Sequence, residues 1–452
     1  MTNEKTSRYS SFVTRHLLRY CMIQTIQRTK SLSGTVVLPG DKSISHRYAM
    51  LAAVAEGDTE IRRFAGSQDC HSTLRCLRGL GVEIREDGDS VTISGRGLRG
   101  LWAPSRVLDA GNSGTTIRLL SGILAGHSFE SSITGDESLC KRPMGRIIQP
   151  LRMMGAAVEA RERDLPPLKI RGGILRAVSY RLPVASAQVK SCVLLAGLYG
   201  DGTTAVEEIV PTRDHTEIAL RHFGASVRHA GNWIEVEPGA RLRRQKLEVP
   251  GDLSGAAFFL VACALVPGSE LSLPGVGLNR RRRELLDYLC SAGLDLVVEN
   301  ESEGAGELRG DLRVRHSPAL LENRLQPIQG KLVAALIDEI PVLAVLGSQV
   351  AGGLEISDAR ELRIKESDRI AALAVNLRAM GAEVEEKPDG LNIRGGQQLR
   401  GADIETRADH RIAMAFAVAG LVASGETRIH QAECADVSFP GFWQALSRIS
   451  RQ

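Results

Sequence analysis

The feature that most restricts how this chain can fold is that it repeats itself. The stretch "LRGLGVEI" at Leu77–Ile84 returns as "LRMMGAAVEA" at Leu151–Ala160, "LRHFGASVR" at Leu220–Arg228, "LCSAGLDLVVE" at Leu289–Glu299 and "LRAMGAEVEE" at Leu377–Glu386. Each reads as a helix end, a glycine in the left-handed conformation just past it, and an alternating strand. A second unit joins a polar loop to a helix that is apolar on nearly every side. It occurs six times, at "DKSISHRYAMLAAVAEG", "GNSGTTIRLLSGILAG", "ASAQVKSCVLLAGLYG", "GDLSGAAFFLVACALVPG", "IDEIPVLAVLGSQVAG" and "ADHRIAMAFAVAGLVASG". A helix apolar all round has to be buried. These six therefore form the interior, and the more amphipathic helices with their strands form the shell. The copies recur at about 65–90 residues, too long for solenoid modules, so each is a small subdomain.

Six such units in 452 residues suit two domains of three units each, because a single core seldom grows to this length. The last amphipathic helix, Trp443–Ile449, runs into the chain end instead of a strand, and the early segment Gly34–Pro39 is a spare strand that can complete this last unit. The expected architecture is α/β. Residues 1–30 form a flexible basic extension, 41–249 the first three-repeat domain, and 31–40 plus 250–452 a second, discontinuous one, with crossovers near residues 40 and 250. Parallel buried helices would aim their N-termini at one face of each domain. A small anionic substrate in the cleft between the domains then follows from helix dipoles.

Charge argues against a polyanionic partner. The chain carries a formal +4, but residues 1–30 hold six cations against Glu4 alone, which leaves the remainder at −1. Generic nucleic-acid binding loses its support. The Arg280–Arg283 run reads as a solvated helix start after the turn at Gly277–Asn279. The N-terminal segment has no continuous apolar stretch of the secretory kind, and it reads as an extension or as sequence upstream of a start at Met22. No run approaches the ~20 apolar residues of a membrane span. The eight cysteines are scattered without a CxxC or Cys/His cluster, which points to a reducing, cytoplasmic setting and to no metal site.

The polar loops carry the chemistry. "VVLPGDKSISHRYAM" (Val36–Met50) crowds Lys42, His46 and Arg47 into the first turn of a helix, where the macrodipole is already positive. It is not a P-loop, since the upstream glycine is missing. "DAGNSGTTIRLL" (Asp109–Leu120) offers small residues and backbone N–H groups around Gly114, with Arg118 one turn later. Further loops add Lys141 and Arg142; Ser186, Gln188 and Lys190; and Arg213 and His215. The C-terminal half supplies acids as well: Asp338 and Glu339, then Lys365, Glu366 and Arg369, then Asp409, His410 and Arg411. Lys365 and Arg369, four apart, read as neighbours on one helix face that repel unless an anion bridges them. Cations at most of the helix starts, with carboxylates among them, point to group transfer between two small, multiply charged anions.

These loops resemble those of the enolpyruvyl transferases, and among them the EPSP synthase family. The matching stretches "PGDKSISHR", "GNSGTTIR", "KRPMG", "SAQVKS", "TRDHTE", "IDEIPVLAV", "LRIKESDRI" and "ADHRIAMAF" run in order from Pro39 toward the C-terminus. The resemblance implies a two-domain inside-out α/β barrel of six βαβαββ repeats. It also implies transfer of enolpyruvyl from phosphoenolpyruvate to the 5-hydroxyl of shikimate 3-phosphate, without metal or organic cofactor. Carried over, Lys42, Ser43, Arg47, Ser186, Ala187, Arg213, Asp338 and Lys365 would hold shikimate 3-phosphate. Lys42, Gly114, Arg142, Gln188, Arg369 and Arg411 would hold phosphoenolpyruvate, and Asp338, Glu366 and Lys42 would move protons. A monomer is expected.

There are departures. Val437 stands where many relatives have lysine, which puts one phosphoenolpyruvate contact in doubt, and Leu119 stands where forms sensitive to the inhibitor glyphosate commonly have proline. Gly114 is retained, so binding of glyphosate is expected. The sister enzymes that act on UDP-N-acetylglucosamine carry a loop cysteine, but Cys140 is nearer to Arg142 than that pattern allows.

Overall fold

The computed structural model describes residues 22–451 as a mixed α/β fold. Its six most buried helices are those the sequence singles out: Lys42–Val54, Gly114–Ala125, Ala187–Gly197, Leu253–Leu265, Ile340–Gln349 and His410–Val422. Leu253–Leu265 is buried at every position. Five of the six are capped by the side chain of the residue just before them, Asp41, Ser113, Ser186, Asp252 and Asp409, which takes up an N–H that the first turn would leave unpaired. The three N-terminal helices pack on one another, as do the three C-terminal ones. At one such contact a Cβ on Gly122 would lie 2.3 Å from the Cys192 carbonyl, so only glycine lets these two helices approach. Among the described residues, no helix is long and apolar enough to cross a membrane.

The amphipathic helices end as their sequences predict. Gly81, Gly155, Gly224, Gly293 and Gly381 sit at φ of +83°, +92°, +103°, +108° and +88°, and a strand follows each turn. Lys365 and Arg369 do not share a helix, which corrects the i,i+4 reading. The helix runs Arg369–Ala379 with Asp368 as its cap, and Lys365 lies ahead of it at the end of a short 3-10 turn.

The described strands form six sheets. In the second, Leu108–Asp109 runs parallel to Ser131–Thr134, which is antiparallel to the hairpin partner Leu165–Arg171. The third, built on Ser179–Arg181 and Thr204–Glu207, repeats this order. Two strands are exchanged. Ser31–Thr35, just ahead of the Lys42 helix, pairs parallel with Glu270–Gly277, while Lys246–Glu248, just ahead of the Leu253 helix, pairs parallel with Glu56–Arg62. Where these connections pass, Asp41 N–H donates to Pro250 O (2.8 Å) and Asp252 N–H to Pro39 O (3.0 Å).

Two expectations about the N-terminus are corrected. Residues 1–21 lie outside the described residues, but the extension does not reach residue 30, because Gln24–Gln27 is a strand antiparallel to Glu426–Ile429. That strand, and not Gly34–Pro39, completes the last sheet. Ser31–Thr35 instead lies between Glu270–Gly277, to which it is parallel, and the short strand Ser450–Arg451 that follows the last helix, to which it is antiparallel. The buried apolar side chains fall into two clusters, one drawn from residues 44–249 and the other from 26–38 with 253–449.

Candidate active site

The loops ahead of all six buried helices are tied to one another by side chains. Asp338, two residues ahead of the Ile340 helix, is the centre. Arg213 Nη2 lies 2.5 Å from its carboxylate, and Arg369, Lys365 and Arg411 lie at 3.7, 3.8 and 3.9 Å. Arg411 also donates to the Asp338 carbonyl at 2.6 Å. Burial would raise the Asp338 pKa, but Arg213, Arg411, Lys365 and Arg369 together hold it well below the ordinary carboxylate value. Lys365 is pushed down by burial, with Arg369 adding to the effect against the pull of Asp338.

Glu366 forms the second focus. Arg369 Nη2 donates to it at 2.5 Å, and Arg142 approaches to 3.9 Å. Burial opposes ionisation here as well, yet Arg369, then Arg142 and Lys365, keep the carboxyl well below its usual range. Arg142 is held by Asn112 Oδ1 (2.8 Å) and Ser138 Oγ (2.9 Å), and Ser138 in turn reaches the Glu366 carbonyl at 3.4 Å. Loops far apart in sequence thus meet at Glu366.

The third focus is the start of the Gly114 helix. Arg118 donates to Gln188 Oε1 at 2.6 Å, and Gln188 Nε2 donates to Thr115 Oγ1 at 3.0 Å. A Cβ on Gly114 would come within 2.9 Å of Arg118 Nη1 and 3.6 Å of Arg142 Nη1. Burial, then Arg142 and Arg146, lowers the Arg118 pKa to about 10. Arg118 was left out of the expected site set although its position one turn after the glycine loop signalled it.

Lys42 donates to Asp69 at 3.0 Å, a partner that sequence reasoning did not find. Burial would lower its pKa, but Asp69 and Glu366 outweigh this and hold it above the ordinary lysine value. The cation crowding at this helix start is thereby resolved residue by residue. His46 is neutral: burial, then Lys42 and Arg47, pushes it well below its usual value, and its Nδ1 lies 2.7 Å from Thr73 Oγ1. Arg47 is buried and donates to Thr216 Oγ1 (2.7 Å), Ser191 Oγ (3.0 Å) and Ser43 O (2.9 Å). It sits in the wall of the site, beside Lys190, whose ammonium lies 2.7 Å from Glu217 and 3.0 Å from Glu208. Ser43, Ser186 and Ala187 are half-buried at their helix starts, and Ser186 Oγ accepts from Val189 N–H at 3.3 Å. Cys140 turns back into its own loop, 3.3 Å from the Gly135 carbonyl.

Buried cations in this number, converging on two carboxylates, make a receptor for anions. No group of side chains with metal-ligand geometry occurs among the described residues.

Comparison with known proteins gives a consistent result. The family model described as EPSP synthase (3-phosphoshikimate 1-carboxyvinyltransferase) matches residues 26–446. The 3-phosphoshikimate 1-carboxyvinyltransferase of Solibacter usitatus is 53% identical over 429 residues, covering 95% of this chain and 100% of that protein. The protein of the same name from Pelotomaculum thermopropionicum is 51% identical, covering 94% and 98%. Among solved structures, an EPSP synthase from Acinetobacter baumannii superposes with a TM-score of 0.83 at 42% identity, covering 95% of this chain and 98% of that one. On this evidence the chain belongs to the EPSP synthase family.

Proposed function

We propose that this protein transfers the enolpyruvyl group of phosphoenolpyruvate to the 5-hydroxyl of shikimate 3-phosphate and releases phosphate, a step of the shikimate pathway. Beyond the family membership, one observation carries the reading: four cations lie within 4 Å of the single Asp338 carboxylate. Each substrate brings a carboxylate and a phosphate, which together supply the missing negative charge.

In this reading Arg213 and Lys365, with Ser43, Ser186, the Ala187 main chain and Arg47 behind them, hold shikimate 3-phosphate. Arg142, Arg369, Arg411, Gln188 and the Gly114 backbone hold phosphoenolpyruvate, and Lys42 reaches both. Asp338 takes the proton of the 5-hydroxyl as its oxygen bonds to C2. Glu366, protonated from solvent once the substrates draw off its arginines, delivers that proton to the methylene carbon, giving a tetrahedral intermediate. Glu366 then takes a proton back from the methyl group as the C2–phosphate bond breaks, and the hydroxyl proton leaves on phosphate by way of Lys42. Both carboxyls are too acidic for this work while the arginines face them alone. Substrate phosphate and carboxylate engage those same arginines, which weakens the compensation and raises the basicity of Asp338 and Glu366.

We further take residues 41–249 as one three-repeat domain and 31–40 with 250–452 as the other, each an inside-out α/β barrel of βαβαββ units, in a cytoplasmic monomer. The exchanged strands and the two separate apolar clusters support the division. Phosphate release that requires both substrates tests the activity. Release with UDP-N-acetylglucosamine but not with shikimate 3-phosphate would replace this reading with that of the sister enzymes.

A further inference from the structure

Arg282 belongs to the arginine run that the sequence suggests is solvated, yet only 5% of its side chain is exposed. Its Nη1 donates to Asp41 Oδ2 at 2.7 Å and lies 3.7 Å from Asp252 Oδ1; its Nη2 donates to Ser254 Oγ and lies 3.5 Å from Glu339 Oε1. Ser254 Oγ in turn donates to Glu339 Oε1. One guanidinium thus joins three carboxylates from three different loops. Each carboxylate has a neighbour in the candidate site or a structural duty. Asp41 caps the helix that begins with Lys42, its Oδ1 accepting from Ile44 N–H at 3.0 Å. Asp252 caps the Leu253 helix through Ser254 N–H at 2.9 Å, and Glu339 follows Asp338. Asp41 and Asp252 also lie where the two connecting segments pass each other.

We infer that Arg282 is a positioning residue for the reaction proposed above: it locks the Asp41, Asp252 and Glu339 loops together and so fixes Lys42 and Asp338 relative to each other. The inference rests on that reaction for its kinetic consequence but not for its structural one. A lysine replaces the group only in part, because a point charge on a flexible stem does not reach three carboxylates with a rigid fork. Without the guanidinium three buried carboxylates face one another, with Arg411 at 3.9 Å from Glu339 as the nearest remaining cation. Arg213, His215 and Asp338 are the other charged or titratable neighbours of the cluster.

The test is Arg282→Gln, Arg282→Lys and the double variant Arg282→Gln with Asp41→Asn, in which the asparagine Oδ1 still accepts from Ile44 N–H. A displacement of this kind costs about 100-fold in kcat/KM. We expect that loss in Arg282→Gln at pH 8, part of it recovered at pH 6 as one crowded carboxylate takes up a proton. We expect Arg282→Lys to be intermediate, and the double variant to regain about tenfold and lose the pH dependence. Thermal unfolding of the full chain between pH 6 and 8 needs no substrate. Arg282→Gln should gain stability on acidification where the unaltered protein does not, and Asp41→Asn should abolish that gain. Kinetics within about threefold of the unaltered protein, or an unfolding profile parallel to it, overturns the inference. Failure of the unaltered protein to release phosphate refutes the reaction instead, and the unfolding comparison still decides the role of Arg282.

Discussion

Asp409 grips Arg369 along two edges of its guanidinium, with Oδ2 2.9 Å from Nε and Oδ1 3.3 Å from Nη2, and both side chains are buried. The same carboxylate accepts from Arg411 N–H at 3.0 Å and from Ser367 Oγ at 3.0 Å. It therefore sets the positions of two arginines that face Asp338. Asp409→Ala strands a buried guanidinium and uncaps a helix, and should cost about 3–5 kcal/mol. Urea unfolding measures this, and a loss below about 1 kcal/mol would show that Asp409 is not what holds Arg369 in place.

Lys42→Ala tests the charge that reaches both substrates. Its partner Asp69 keeps some solvent contact, with side-chain exposures of 16% and 9% for the pair, so the stability cost should be about 1 kcal/mol. Turnover should fall by on the order of 10²–10³-fold or more. Phosphate release together with a melting curve separates the two effects, and a large melting shift would make Lys42 structural.

Gly114→Ala places a methyl group against the ends of Arg118 and Arg142. Arg118 is a flexible side chain and can yield, so the protein should fold normally. The KM for phosphoenolpyruvate should rise by about tenfold with a smaller change in kcat, as expected when binding common to ground and transition states is lost. An unchanged KM would put phosphoenolpyruvate elsewhere.

Glu366→Gln removes the proposed proton carrier while leaving an amide that can still accept from Arg369. Exchange of solvent hydrogen into the methylene group of phosphoenolpyruvate should slow by at least about 10²-fold. Mass spectrometry of recovered substrate reads this directly, and exchange at the original rate would assign the proton to another group.

Stability should fall on acidification in two stages. His410, pushed to about 3 by burial and then Lys42, and His46, pushed well below its usual value, stay neutral in the folded protein. Below about pH 6.5 only the unfolded chain protonates them, so folding loses up to ~1.4 kcal/mol per pH unit for each. Asp338 and Glu366, held low, add a second loss as pH drops below about 4. His410→Gln should flatten the first stage in chemical-denaturation curves taken between pH 6.5 and 4.5, and a slope equal to that of the unaltered protein would remove His410 from this account.

Much of this was legible in the sequence, because buried helices and their left-handed glycine turns are local patterns with a period. The cationic loops were legible because each sits at a helix start. Partnerships across long stretches of chain were not: Asp69 with Lys42, Asn112 with Arg142, and the three carboxylates around Arg282 share no spacing rule. Arg282 misled for a physical reason, since a run of four arginines reads as solvent-facing until the carboxylates that bury one of them are known. Gln24–Gln27 was missed because a four-residue polar edge strand has no hydrophobic signature.

The pairing of Gln24–Gln27 with Glu426–Ile429 also has a bearing on how the chain is made. Ile26, Leu32, Val36 and Leu38 are among the first of the described residues to leave the ribosome, yet they belong to the apolar cluster whose other members come from residues 253–449. The cluster spanning 44–249 can assemble while translation continues, with the N-terminal strands waiting outside it. Residues 26–38 therefore dock after the 44–249 cluster can form, and blocking them with a bulky fusion at Met22 should trap a species in which that cluster is folded and the 253–449 cluster is not.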